Sequence, residues 1–311
     1  MKYKNIVLIW SLLIFVVLFA YYFLIGHYLA QPQLDVWWIE RNLAKKRVLA
    51  EEIIGKKIIL LGGSSVFFGL QAKLMTEELK IPTVNMGIHA GLEVDYLLHL
   101  GEEYAKKGDI VVVSLEYMHY LYDGSNGAQK INYVLSHDKT YFENLTYEKR
   151  ISYMRSIKPF DSIPSYVVGK IKKAVQWDPF EMNKYGDKID NIGIMEGNIP
   201  AFDINKYKLD NKKGFDAIID FAEFCMKNDI KLIFLYQTIS KHEKYFNDKE
   251  YLNFFKSIAS FFKENNLLVL DNPYSAMFTR KYIFNTENHL NNEGAKIRTL
   301  DIIKLLKEQE L

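Results

Sequence analysis

The 311-residue chain has little cysteine and almost no net charge, and both features exclude classes of protein. Cys225 is the single cysteine, so neither an internal disulfide nor a zinc site built from several cysteines can form. It falls on the apolar side of a predicted helix, where a small buried side chain is expected. The formal charge is +2, and no stripe of lysine and arginine stands out to bind phosphates. We therefore expect no nucleic acid partner.

Several motifs that carry metal or nucleotide chemistry are also missing. The sequence has no HExxH pattern, no EF-hand loop and no closely spaced set of histidine and cysteine, so no metal site is expected. No Gly-Lys-Ser/Thr follows the one pair of glycines after a predicted strand, which excludes a P-loop, and the Gly-x-Ser-x-Gly turn is absent. No cofactor is implied.

The longest hydrophobic run lies near the N-terminus. Residues 6–25 contain no charged residue and are long enough to cross a bilayer as a helix. A cleaved signal peptide would have a shorter apolar core and a small-x-small cleavage site, and neither is evident. Lys2 and Lys4 precede the run, whereas the first Lys or Arg after it is Arg41. The positive-inside rule then predicts a single-pass anchor over residues 1–30, with a cytoplasmic N-terminus and the remainder outside.

The rest of the chain reads as one α/β domain. Residues 31–55 contain helical apolar spacing that ends at Gly55, and predict a stalk or a helix packed on the domain. From residue 56 onwards short aliphatic runs alternate with amphipathic segments, which is typical of a parallel sheet between helical layers. The predicted strands are 57–61, 83–86, 110–114, 231–236 and 267–270. The predicted helices are 71–80, 93–107, 213–228, 248–264 and 293–308.

A stretch of about a hundred residues interrupts this alternation. Residues 120–212 are rich in Tyr, Lys, Asn and Asp, and are too long for an ordinary connection. We predict an insertion in the 56–311 domain, with helices near 147–157 and 165–176. Loops held on a rigid sheet often carry specificity, so we expect the insertion to border the functional site.

The strongest local signal for chemistry is KIILLGGSSVFFGL at residues 57–70. A buried strand runs into two glycines and then Ser64, at the carboxyl end of the strand, where ligands bind in open α/β sheets. The following helix would present free N–H groups to a developing negative charge. A serine needs a base, and among seven histidines His289 has the best context, in a polar loop just before the C-terminal helix. His89 and His119 follow the second and third strands and could line the same site.

Three segments in this order resemble the SGNH (GDSL-like) hydrolases. GGSSVFFG resembles the first block, NMGIHAG at 85–91 the second, and NHLNNEGA at 288–295 the last. The resemblance covers about residues 56–308 and implies a flavodoxin-like three-layer sandwich with a five-stranded parallel sheet. NMGIHAGLEVDY, GDIVVVSLEY and MNKYGD look like exported bacterial members, including glycan acetyl-transfer and D-alanine-transfer proteins.

Carried over to this sequence, the resemblance implies roles for particular residues. Ser64 would attack an ester carbonyl and His289 would take its proton. Backbone N–H groups of Ser64 or Ser65 and of Gly87 would hold the oxyanion. Ser65 is the competing nucleophile.

Two family positions differ, and both concern polar groups of the site. The aspartate three residues before the histidine is replaced by Thr286, which leaves Asn285, Glu287 and Asp271 as alternatives for the third group. Asn285 can orient the imidazole but supplies no charge. The Gly-x-Asn-Asp block is replaced by a segment containing Glu116, and an ionised carboxylate cannot donate to an oxyanion. Asn85 or Asn183 could supply that donor from the border of the site, although capping and turn roles are the plainer interpretations.

Two functions remain open at this stage. The first is an extracytoplasmic serine acyl-ester hydrolase or O-acyltransferase that acts on an acylated or acyl-accepting surface glycan or a teichoic-acid-like polymer. The second is a non-catalytic relative that serves as a binding or scaffold subunit in polysaccharide assembly. With either function, the anchor and the helix after it could contact a polytopic membrane acyl-transfer protein.

Overall fold

The computed structural model describes residues 2–29, 36–157, 181–204 and 212–309. The chain divides into two compact units, one formed from residues 1–40 and 128–177 and the other from residues 41–127 and 178–311. Part of the predicted insertion, including the predicted helix near 165–176, lies outside the described residues. The predicted domain boundaries stay predictions.

The first unit contains the apolar N-terminal helix. Its described helices are α1 (Lys2–Leu29), α7 (Ala128–His137), α8 (Lys139–Asn144) and α9 (Tyr147–Ser156). Within α1, Tyr3–Phe23 has a mean hydropathy of 2.6. Among the described residues α1 is the one helix long and apolar enough to span a membrane, which confirms the predicted apolar segment and leaves its orientation a prediction. Nearby, the Tyr133 hydroxyl donates to Glu40 Oε2 at 2.7 Å.

The second unit is built on a parallel sheet. The strands are β1 (Ile58–Gly62), β2 (Thr83–Asn85), β3 (Ile110–Leu115) and β4 (Lys231–Tyr236), and a separate parallel pair is formed by β5 (Ile239–Ser240) and β6 (Met277–Phe278). The order in the sheet is β2-β1-β3-β4, with Ile58 level with Thr83 and Ile110. Strands β1, β2 and β3 are buried throughout, as expected for aliphatic runs covered on both faces.

Helices cover both faces of the sheet. The described helices of this unit are α2 (Trp37–Glu52), which begins in the first unit, α3 (Ser64–Gly69), α4 (Ala72–Leu79), α5 (Glu93–Tyr104), α6 (Tyr117–Tyr120), α10 (Lys213–Lys227), α11 (Lys244–Asn247), α12 (Lys249–Glu264) and α13 (Asn292–Lys307). Leu60 packs with Met75 of α4 and Ile302 of α13. Leu61 points the other way, towards Gly101 of α5 and Phe221 of α10. Successive side chains of a strand face opposite layers, so a three-layer α/β arrangement results.

The predicted class and parallel sheet are confirmed, but the prediction of five strands is wrong. The segment 267–270 meets β4 only through a bridge between Val269 and Phe234. It lies at the open edge of the sheet, and Leu268 is 37 % exposed. The chain then turns away, because Asn272 Oδ1 accepts from two following backbone N–H groups at 3.0 Å. The sheet therefore has four strands, and residues 267–270 do not form a fifth.

Candidate active site

Ser64 stands at the carboxyl end of β1, as the first residue of α3. It is partly exposed, whereas Ser65 is only 2 % exposed. Among the described residues the Ser65 hydroxyl has no hydrogen-bond partner. Of the two serines, Ser64 is therefore the one that a substrate can reach.

The strand order places this serine where open α/β sheets bind ligands. Strand β1 neighbours both β2 and β3, so the connections after β1 and β3 leave the sheet at the point where the order reverses. Ser64 follows β1, and Glu116 follows β3. A crevice outside this switch point is the usual location of a binding site in such sheets.

His289 lies on a short hairpin that leads into α13. Ile283 and Leu290 form an antiparallel bridge, and the Phe284 N–H donates to the His289 carbonyl at 2.8 Å. The imidazole stacks on the ring of Phe68, with centroids 4.1 Å apart and planes within 5°. Phe68 is one helical turn after Ser64 on α3, and residues four apart share a helix face. The fold thus brings His289 to the helix that Ser64 begins.

Asn285 holds the imidazole by its Nδ1 atom. The distance between His289 Nδ1 and Asn285 Oδ1 is 2.7 Å, and an amide oxygen can only accept, so Nδ1 carries the proton. Nε2 is then left with the lone pair that a general base uses. Burial lowers the pKa of His289 to about 3, and neighbouring His89 acts in the same direction. The imidazole is therefore neutral at pH 7, and it is a weak base.

The two predicted oxyanion donors are already engaged by side chains. The Ser65 N–H donates to Glu116 Oε1 at 2.9 Å, and the Gly87 N–H donates to Asn85 Oδ1 at 2.9 Å. A Cβ on Gly87 would lie 2.5 Å from the backbone nitrogen of Phe67, so only glycine fits there. Any oxyanion at this position must compete with these two oxygens, or use another donor.

The two asparagines at the predicted border have structural contacts. Asn85 Nδ2 donates to the carbonyls of Val66 at 3.2 Å and Leu70 at 3.0 Å, which caps the end of α3. Asn183 Oδ1 accepts from the N–H groups of Tyr185 and Asp187, and builds a turn. The structure thus favours the capping and turn interpretations for these two side chains.

The other carboxylates considered for the third group lie elsewhere. Asp271 pairs with Arg298 and accepts from the Tyr236 N–H at 2.9 Å. Glu287 lines a pocket of about 260 Å³ beside the site, together with Glu116, Tyr117, Met118, Pro200, Ala201, Phe202, Asp203, Gln237 and Asn288. Of the candidates for the third group, Asn285 is the one that hydrogen-bonds to the imidazole.

Sequence reasoning missed two residues that shape the site. Phe68 supplies the ring on which His289 stacks, and its spacing of four from Ser64 was the available signal. Lys46 of α2 is fully buried, and its Nζ donates to the carbonyls of Asn85 and Gly186, both at 2.6 Å. Burial lowers the pKa of Lys46 to about 7, opposed by Asp187. Nothing in the helical pattern within residues 31–55 singled out this lysine.

Replacing Asn285 by aspartate should strengthen the base. A carboxylate stabilises the imidazolium, so it raises the pKa of His289 from about 3 towards its ordinary value. The acidic limb of kcat/KM for ester hydrolysis should then move to higher pH, and kcat/KM at pH 7 should rise by about 10-fold. The gain stays below the roughly 10⁴-fold effect of the buried protease triad because Asn285 is exposed and its charge is screened.

The matched control for this change is Asn285→Ala. It removes the acceptor for the Nδ1 proton without adding charge, so kcat/KM should fall and the acidic limb should stay at low pH. Identical pH profiles for the aspartate and alanine variants would show that residue 285 does not act on the imidazole.

The chain matches no family model and no curated protein. Among solved structures it is similar to a GDSL-like lipase from Bacteroides thetaiotaomicron, at 12 % identity and a TM-score of 0.39, over 87 % of this chain and 95 % of that one. An acetyl xylan esterase has 15 % identity and a TM-score of 0.39, over 82 % and 100 % of the chains. A lipase/acylhydrolase from Enterococcus faecalis has 11 % identity and a TM-score of 0.33, over 81 % and 95 %.

Proposed function

We propose that this chain is a serine acyl-ester enzyme of the SGNH type, a hydrolase or an O-acyltransferase. One observation carries the proposal. Ser64 is partly exposed and is the first residue of α3. The imidazole of His289 stacks on Phe68, one turn later on the same helix, and because its proton is on Nδ1 its Nε2 carries a lone pair. A hydroxyl, a neutral imidazole and a group that orients the imidazole are the parts that nucleophilic acyl transfer needs.

In the proposed reaction Ser64 Oγ attacks the ester carbonyl carbon while His289 Nε2 accepts the hydroxyl proton. The carbonyl electron pair moves to oxygen, and the N-terminus of α3 lies beside the resulting charge. Collapse breaks the bond to the alcohol, which takes the proton from His289. Water or a sugar hydroxyl then attacks the acyl-serine, and this choice separates a hydrolase from a transferase.

We further propose that the enzyme works on the outer side of a membrane, on an acylated or acyl-accepting cell-envelope glycan or a teichoic-acid-like polymer. The apolar helix α1 and the lysines before it support this location. A tethered enzyme suits a substrate that is itself confined to the envelope. A polytopic membrane protein that delivers the acyl group is the partner that such a tether would serve.

A non-catalytic scaffold is the second candidate, and a specific observation favours it. The N–H groups of Ser65 and Gly87 are both satisfied internally, and the imidazole has no carboxylate as its Nδ1 partner. A protein that had given up catalysis could retain this arrangement for stability alone.

The assay that tests the proposed function uses the full chain in lipid nanodiscs with p-nitrophenyl acetate. An active enzyme should release p-nitrophenol and show a transient mass increase of one acetyl group on the intact chain. Adding an oligosaccharide acceptor should divert acetyl from water to sugar if the chain is a transferase. The same assay in native membranes detects activity that requires a membrane partner. A chain that is inert in both settings is the scaffold.

A further inference from the structure

Glu116 occupies the region where the proposed reaction would develop negative charge. It follows β3, is 2 % exposed, and its Oε1 accepts from the Ser65 N–H at 2.9 Å. A Cβ on Gly63 would collide with both carboxyl oxygens. The carboxyl group therefore packs against Gly63, the residue directly before Ser64. It occupies the space that a side chain at position 63 would need.

The second carboxyl oxygen of Glu116 faces His119. His119 Nε2 lies 2.9 Å from the Ala90 carbonyl, which can only accept, so Nε2 carries a hydrogen. His119 Nδ1 faces Glu116 Oε2 at 3.4 Å. With a neutral His119 and an ionised Glu116, a lone pair and a negative charge would face each other in a buried environment. One proton on either Nδ1 or Oε2 removes that repulsion.

Neither of these two atoms has a hydrogen-bond partner elsewhere among the described residues. Glu116 Oε2 and His119 Nδ1 are both buried and unsatisfied, and 3.4 Å is too long for a well-formed hydrogen bond between them. Buried polar atoms are usually paired, so this pair holds unused hydrogen-bonding capacity beside Ser64.

Charged and polar groups from several elements surround the pair. Asp203 and Glu287 line the same pocket as Glu116. His89, from the loop after β2, is within electrostatic reach of both Glu116 and His119. From α3 the Ser65 N–H donates to Glu116, and the uncharged Gln237, from the segment after β4, lines the same pocket as Glu116.

We propose that protonated Glu116 donates a hydrogen bond from Oε2, to His119 Nδ1 in the resting state and to the oxyanion during the reaction. This inference rests on the proposed function. Oε1 stays on the Ser65 N–H, while the Oε2 hydrogen turns from His119 to the oxygen of the tetrahedral intermediate. No bond to this hydrogen breaks. When the intermediate collapses the hydrogen returns to His119, and the proton taken by His289 leaves with the alcohol.

Two substitutions at 116 test the role, on the full chain in nanodiscs with p-nitrophenyl acetate. Glu116→Gln keeps an acceptor for the Ser65 N–H and provides an amide donor that does not titrate. Its kcat/KM at pH 7 should stay within about 10-fold of the wild type. Glu116→Ala removes the donor and should lower kcat/KM by about 10²-fold. Glu102→Gln, on the surface of α5, is the control for the chemical change alone.

Rates are expressed per serine that reacts with a fluorophosphonate, and thermal unfolding of each variant is measured, so a misfolded fraction does not count as lost catalysis.

Different outcomes separate the two proposals. An active wild type with Glu116→Gln as impaired as Glu116→Ala overturns the donor role, because the charge is then required. An active wild type that Glu116→Ala equals or exceeds also overturns it, because the carboxyl group is then inert or blocks the site. A wild type with no turnover dependent on Ser64 removes the proposed function and this inference together.

Discussion

Replacing Ser64 by alanine should abolish formation of the acyl-enzyme and lower kcat/KM for esters by about 10⁴- to 10⁶-fold. Ser64 is the hydroxyl that begins α3 at the switch point of the sheet, and no covalent intermediate can form without it. Ester turnover and intact mass, measured on the full chain in nanodiscs, check the prediction. The side chain is partly exposed, so its truncation should leave the thermal unfolding midpoint close to that of the wild type.

The matched control is Ser65→Ala, which removes the neighbouring hydroxyl and keeps the backbone N–H. The Ser65 hydroxyl is buried without a partner, so its removal leaves no polar group newly unsatisfied. We expect activity to persist and stability to stay equal or rise slightly. Loss of the acyl-enzyme in Ser65→Ala, with retention in Ser64→Ala, would reverse the assignment of the nucleophile.

Replacing His289 by glutamine should lower kcat/KM by about 10²- to 10⁴-fold, the range that a positioned general base contributes. Glutamine can still hydrogen-bond to Asn285, but it cannot accept a proton at neutral pH. Burial lowers the pKa of His289 to about 3, so the wild type should keep its base unprotonated, and its activity high, down to mildly acidic pH. A stopped assay of ester hydrolysis between pH 3 and 8 measures both effects.

His99→Gln is the control for this change, because His99 lies on α5 beside Glu102. It should leave the rate and its pH profile unchanged. If His289→Gln retained the wild-type rate, or if the acidic limb of the wild type fell near pH 6.5, His289 would not be the base that the contacts with Phe68 and Asn285 imply.

Much of the fold could be predicted because its strands are buried on both faces. Runs such as residues 110–114 contain aliphatic residues without polar alternation, and β3 forms at Ile110–Leu115. The run at 267–270 looks the same in sequence, yet it lies at the edge of the sheet. Whether such a run forms a full strand depends on the direction of the chain after it. After residues 267–270 the turn at Asn272 directs the chain away from β4, and only one bridge to β4 forms.

The site could be predicted only where a local pattern carries the information. A strand followed by two glycines and a serine marks the end of β1, and a histidine in a polar loop marks the approach to α13. The partners of these residues come from distant segments. Lys46 reaches Asn85 across 39 positions, and Ser65 meets Glu116 across 51, so no local pattern reveals either contact. Glu116 stands in a block that departs from the family pattern, and its contacts with Ser65 and His119 appear only in the folded chain.

The most direct measurement is a crystal structure of the full chain after reaction with a fluorophosphonate. We expect phosphorus bonded to Ser64 Oγ, with His289 Nε2 within about 3.2 Å of a phosphonyl oxygen or of Oγ itself. An adduct on any other residue, or an imidazole turned away from the phosphonate, would contradict it.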